Sequence, residues 1–300
     1  MITQPQNPSA RVLLFSLKGS IIPAIWRKVL FTTLLSSLVV ATHGTLYHYK
    51  VTLTATPFTL WGLTLAIFLG FRNSAAYQRF WEARTLWGDL LVSARNLTRQ
   101  VQQYFPQLER EERFYLLQPL LAYPHALRNF LRSVVYENAN RIADDEVRQH
   151  MQSPSMMLGT LGRRLTEYAA LARLDPILLA QMDRQVNHMS QVLGGCERIK
   201  STPIPYPYIL MLHRIVHVYC FLLPFCLVDS IGWLTPVAVC ILAYTFFGLD
   251  ALGDQISDPF DVQPNDLPLD AMSRNIEIAV LEMLGEPLPP ALQPEDGVLL

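Results

Sequence analysis

Charge is missing from four long intervals of this chain, and that constrains its fold more than any motif does. No Asp, Glu, Lys or Arg lies between Lys28 and Lys50, between Lys50 and Arg72, between Arg214 and Asp229, or between Asp229 and Asp250. Charged residues make up 16% of the 300 residues, against about 25% in an average soluble protein. A helix needs about 20 mostly apolar residues to cross a hydrocarbon core about 30 Å thick. The run after Asp229, "SIGWLTPVAVCILAYTFFGL", meets that requirement best. The run after Lys28, "VLFTTLLSSLVVATHGTLYHY", nearly does, with Trp26 and Tyr47 placed as interfacial anchors. "IVHVYCFLLPFCLV" spans only if its helix starts earlier, at Tyr208, and buries His213 and Arg214 against protein. "PFTLWGLTLAIFLGF" is short too and carries Thr59 and Thr64. Such polar groups belong on helices that pack inside a bundle or line a cavity. Buried core helices of a large soluble protein are the other reading, and the lengths and clustering of the gaps favour the membrane.

The expected fold class is all-α: four transmembrane helices and a helical cytoplasmic domain. The boundaries read as a cytoplasmic N-terminal segment (1–28), transmembrane helices 1 and 2 (29–79), a helical cytoplasmic domain (80–207), transmembrane helices 3 and 4 (208–250) and a cytoplasmic C-terminal segment (251–300). Basic residues set the orientation, because cytoplasmic loops carry the excess of Lys and Arg. Arg11, Lys18, Arg27 and Lys28 precede the first segment; Arg72, Arg79 and Arg84 follow the second; Arg198, Lys200 and Arg214 precede the third. The outer connections carry Lys50 alone and, around "DSIGW", no Lys or Arg. Both termini are therefore expected in the cytoplasm of a multi-pass protein of the bacterial inner membrane. The opening residues lack the apolar core and cleavage site of a secretory signal.

In the middle region, "ERFYLLQPLLAYPHALRNFLRSVVY" repeats apolar residues at three- and four-residue steps, with Leu116, Leu120, Tyr123 and Leu127 on one face. "DPILLAQMDRQVNHMSQVLGG" predicts a helix with Asp175 as N-cap, Pro176 in its first turn and Gly194–Gly195 as its stop. The polar stretch "ENANRIADDEVRQHMQSPS" between them reads as a surface connection. "DPFDVQPNDLPLDAMSRNIEIAVLEMLG" predicts an extended segment and then a last helix, with a loosely ordered tail beyond it.

Catalytic chemistry finds no foothold. There is no Walker loop, dinucleotide fingerprint or nucleophile elbow, so an enzyme is not expected. A net charge of −1 offers no bulk attraction to nucleic acid. Cys196, Cys220, Cys226 and Cys240 lack zinc-site spacing and read as small buried hydrophobes. His213 and His217 share a helix face at a metal-compatible spacing, but no carboxylate stands beside them at helical spacing, so packing or hydrogen bonding is the favoured role. No metal or cofactor is expected. Asp250, Asp254 and Asp258 step by four just past the last apolar run. They form either a cation-attracting stripe or, as the commoner use, ion pairs with Arg of the middle domain or a helix cap before Pro259.

The sharpest constellation lies in "LTLAIFLGFRNSAAYQRFWEARTLWG", Leu63 to Gly88, which starts apolar and turns polar at Arg72 without a helix breaker. Leu63, Ile67 and Phe71 fall in one stripe, since four residues turn a helix by about 400°. Ser74 and Gln78 prolong the stripe with polar groups. In a monomer such a stripe is core. Around a symmetry axis it makes stacked apolar rings, which gate ions by dewetting.

Three separated stretches carry a family resemblance. "FLGFRNSAAYQRFWEARTLWG" looks like the second-helix signature of bacterial bestrophin homologues. "GCERIKSTPIPYPYILMLHR" resembles the approach to their third membrane helix, and "DPFDVQPNDLPLD" the segment after the fourth. With the four apolar segments, the resemblance covers nearly the whole chain. It implies a homopentameric ion channel in the lipid bilayer with one axial pore. Its neck residues carry over to Leu63, Ile67 and Phe71, and a second, cytoplasmic constriction to Ile204. Animal relatives use an acidic cluster after the fourth helix for calcium gating; here that place holds Asp261 and Asp266 but no acidic run, so calcium gating is not carried over. The functional expectation is a channel for small monovalent ions with a hydrophobic neck. The stripe Asp250, Asp254, Asp258 gives a lean to cations, sodium first, with chloride conduction open. A membrane-anchored scaffold or sensor that passes no ions is the alternative.

Overall fold

The computed structural model describes residues 1, 16, 19–42, 45–46, 49–50, 54–134, 144–295 and 297–299. Arg11, Lys18 and Tyr47, and part of the polar connection after Glu137, lie outside them. Among the described residues the chain is all-α. Its helices are α1 (Ile22–Ala41), α2 (Ala55–Tyr104), α3 (Arg110–Arg132), α4 (Asp145–Gln149), α5 (Pro154–Leu171), α6 (Pro176–Ser201), α7 (Tyr206–Ile231), α8 (Thr235–Ser257) and α9 (Leu269–Leu284). Two two-residue strands, β1 (Thr45–Leu46) and β2 (Tyr49–Lys50), pair antiparallel.

The chain divides into two compact units. One comprises residues 5–80 and 203–258; the other comprises residues 1–4, 81–202 and 259–300. Helix α2 contributes its first half to the former and its second half to the latter.

In the first unit α1, α7 and α8 pack on one another. Leu65 and Leu69 of α2, Val216 and Cys220 of α7, and Val239 and Ala243 of α8 form the centre of an apolar core. Phe58 stacks on Tyr219, which meets Phe246 edge-on. Among the described residues, two stretches are long and apolar enough to cross a membrane: Ile22–Ala41 and Tyr206–Ser257. The second is broken at Gly232, whose φ of 54° suits a residue without Cβ. Its two helices have 26 and 23 residues, or about 39 and 34 Å at 1.5 Å per residue.

The first apolar run differs from its expected outline. Helix α1 starts at Ile22 and so includes Arg27 and Lys28, and it stops at Ala41 rather than near Tyr49. The end of the run instead supplies the paired strands. Ser20 accepts from the Ile22 amide and Pro23 stands in the first turn, which fits an earlier start. Helix α7 begins at Tyr206, two residues before the expected start. His213 is partly buried as expected, but Arg214 is exposed.

In the second unit α3 packs against α5, α6 and α9. Leu116, Leu120, Tyr123 and Leu127 are all buried, as the three- and four-residue spacing requires. Helix α3 continues through Pro119 and Pro124. Proline has no N–H, so Pro119 leaves the carbonyl of Tyr115 without its helical donor. Arg164 of α5 fills that role, donating from Nη1 to Tyr115 O at 2.6 Å. The hydroxyl of Tyr123 donates to Met189 O of α6, and Arg128 and Arg132 both donate to Asp270 of α9.

Asp175 caps α6 by accepting from Ile177 N at 2.8 Å, with Pro176 next in line. The expected stop at Gly194–Gly195 is not one: α6 runs on to Ser201. A Cβ on Gly195 would lie 2.8 Å from a Leu86 methyl. This glycine serves close approach of two helices rather than termination. Helix α9 ends as a glycine stop should, with Gly285 left-handed at φ 71°.

Candidate functional site

Helix α2 settles one sequence question directly. It is a single helix of 50 residues, unbroken through Arg72. In its first half Phe58, Leu65, Leu69, Arg72 and Ala76 are buried. On another face Leu63, Ile67 and Phe71 are 60%, 49% and 66% exposed. Ser74 and Gln78, which prolong the stripe, are exposed as well. This half therefore has one apolar face spent on its own core and a second apolar face that is left largely exposed among the described residues. Ile204 sits in the bend between α6 and α7 and is partly exposed.

Arg72 is 1% exposed, although it stands one residue after Phe71. Its Nη1 donates to Asp250 Oδ1 at 2.6 Å, and its Nη2 donates to Asp254 Oδ1. Asp250 and Asp254 are one turn apart on α8, so both reach one guanidinium. His213 of α7 completes the group: Nδ1 is 2.6 Å from Asp250 Oδ2 and Nε2 is 3.3 Å from Asp254 Oδ2. A buried arginine is tolerable only with such partners, because an unpaired charge away from water is costly. The backbone makes room for it: a Cβ on Gly253 would collide with Asn73 Oδ1 and come within 3.4 Å of Arg72. Asn73 Nδ2 and Arg79 Nε donate to the carbonyls of Leu249 and Ser257, so α2 and α8 are joined along about two turns.

Thus two residues of the acidic stripe, Asp250 and Asp254, are ion-paired, and Asp258 is exposed at the end of α8. His213 and His217 do not converge as a ligand pair. His217 Nδ1 donates to His213 O at 2.7 Å instead. The carboxylates that His213 meets come from α8, which helical spacing within α7 had no means of revealing. Ligand atoms of His213, Asp250 and Asp254 lie within 4.8 Å of one another, but Arg72 already occupies the cationic position between the two carboxylates. The expected partners were Arg of the middle domain; the partner is instead Arg72, on the first half of α2. Its signal was present, since Arg72 and Asp250 are the first charges after long apolar runs on two different helices.

Asp266 is buried and accepts from Gln263 N at 2.7 Å, so it shapes the turn before α9; Asp261 is exposed. The four cysteines are free thiols, three of them buried.

The all-helical fold, with its packed apolar helices and buried Arg–Asp–His centre, is matched among known proteins. The family model described as Bacterial/Fungal Bestrophin protein matches residues 1–282; this chain belongs to that family. A Mesorhizobium japonicum protein named voltage-dependent anion channel-forming protein is 38% identical over 99% of this chain and 96% of its own length. A Salmonella typhi protein of the same naming, YneE, is 38% identical over 95% of each chain. The crystal structure of a bacterial bestrophin homologue from Klebsiella pneumoniae superposes with a TM-score of 0.83 at 35% identity, covering 87% of this chain and 99% of that one.

Proposed function

We propose that this chain is an ion channel, not an enzyme, and that it forms its pore by self-association in a bacterial membrane. The observation that carries the proposal is the exposed stripe Leu63, Ile67, Phe71 on a helix whose opposite face is already buried. Copies of α2 around an axis turn that stripe into apolar rings, which exclude water when closed and wet when open. Family membership and the channel names of the relatives support the same reading. In this proposal residues 29–79 and 208–250 hold four membrane passes, 80–207 and 251–300 are cytoplasmic, five copies assemble, and Ile204 forms a second constriction.

In this proposal the neck governs how readily ions pass. The lean to cations rested on Asp250, Asp254 and Asp258, and Arg72 offsets one of those three negative charges. The relatives are named for anions. Reversal potentials of purified protein in asymmetric sodium chloride measure selectivity directly. Phe71→Ala and Ile67→Ala should raise conductance, whereas Asp258→Asn should leave the reversal potential in place. Parental conductance in both neck variants would remove the neck assignment. A reversal potential that follows Asp258 alone would return selectivity to the acidic stripe. Absence of any flux from liposomes would leave the scaffold reading.

A further inference from the structure

The first unit holds a cavity of about 560 Å³ between α1, α7 and α8, within the range of small-molecule sites. Phe31, Val218, Phe221, Leu222 and Phe247 give it an apolar wall. Every charged side chain on its lining is basic: Arg27 and Lys28 are adjacent on α1, and His217 of α7 lines it as well. Arg27 lies above the Trp26 ring at 5.4 Å and Lys28 above the Phe247 ring at 5.6 Å, and Lys28 also stands in the field of Asp254. His217 commits Nδ1 to a backbone carbonyl, leaving Nε2 as its second polar atom. Beyond Lys28, exposed Phe31, Leu34 and Leu38 continue along α1 as an apolar track.

We propose that this cavity binds an anionic phospholipid, with the phosphate at Arg27 and Lys28 and an acyl chain against the apolar wall. The proposal rests on the membrane placement given above. Charge complementarity selects the occupant. A phosphate matches the two adjacent cations, whereas a zwitterionic lipid would bring a compensating positive charge with it. Basic pockets between membrane helices at the cytoplasmic side are a recurring form of anionic headgroup site. Each cation near the membrane surface contributes about fivefold to anionic lipid affinity. The pair therefore accounts for about 25-fold.

The test uses the full chain reconstituted in nanodiscs of phosphatidylcholine with a minority of phosphatidylglycerol. Retained lipid is identified by mass spectrometry after the protein is extracted with mild detergent. The parent should retain phosphatidylglycerol well above its share of the bilayer. Arg27→Gln with Lys28→Gln should lose that enrichment, by about 25-fold in preference over phosphatidylcholine. Val218→Trp, which fills the groove and keeps the cations, should lose it too. Equal enrichment in the parent and the double variant would overturn the proposal. So would retention unaffected by Val218→Trp but abolished by inorganic phosphate, which would mean an anion site without a chain groove. Loss of subunit association in the double variant, with no change in lipid, would show that a second copy occupies the cavity instead. Flotation with pure phosphatidylcholine vesicles separates the two levels: failure of the parent to float removes the membrane reading itself, whereas flotation without phosphatidylglycerol preference removes only the lipid site.

Discussion

The two halves of α2 solve the same problem in different ways. In the second half Trp87, Leu90, Ala94, Leu97 and Val101 are buried along one side, while Arg84, Asp89, Arg95 and Arg99 supply polar character to the rest. That is ordinary amphipathicity, and one chain suffices to satisfy it. In the first half Leu65 and Leu69 are buried, but Leu63, Ile67, Phe68 and Phe71 remain open. A helix that is apolar on two sides needs a second apolar environment, either lipid or further copies of itself. The contrast shows where self-sufficiency ends within a single continuous element. It also explains Arg72: the last residue before the helix becomes amphipathic is followed by a charge that is folded inward rather than left to the stripe.

The largest effect should come from breaking the buried charge. Arg72→Ala leaves Asp250 buried without its guanidinium, and such losses cost about 3–5 kcal/mol. Thermal unfolding of the detergent-solubilised protein should show it, and adding Asp250→Asn should recover part of the loss. An unchanged transition for Arg72→Ala would mean that the pair does not hold α2 to α8. Next comes the self-sufficient half: Leu97→Ala removes a fully buried side chain and should destabilise by about 2–5 kcal/mol. Ile67→Ala deletes a side chain of similar size from the open stripe. It should change the folding of the chain by only about 0.5 kcal/mol while altering conductance. Equal destabilisation by Leu97→Ala and Ile67→Ala would erase the distinction between the halves.

The smallest effect is kinetic. Burial pushes the Cys196 thiol up to about 12, so at pH 8 it stays protonated and unreactive, since the thiolate is the nucleophile. Maleimide should modify it only after unfolding, and rapid labelling of native protein would place that part of α6 in the open.

Much of this was legible in the sequence. The unbroken helix through Arg72, the apolar face of α3 at Leu116, Leu120, Tyr123 and Leu127, the Asp175 cap and the stripe at Leu63, Ile67 and Phe71 all follow from local spacing. Local spacing misled at Gly194–Gly195, where a helix stop and a close helix contact look alike until Leu86 is seen against Gly195. It also misplaced both ends of α1, because an apolar run states where lipid is tolerated and not where backbone hydrogen bonds change partner.

By itself, then, the sequence determined which segments avoid water, which faces are apolar and which family the motifs resemble, because burial and helical period leave their mark on each residue separately. Only the tertiary structure decided the partners. Asp250 reads the same whether it faces solvent, an ion or Arg72, and the choice among those depends on how α2, α7 and α8 come together. That packing turned an acidic stripe into an ion-paired centre, set His213 against Asp250 and Asp254, and left the Leu63–Ile67–Phe71 face uncovered.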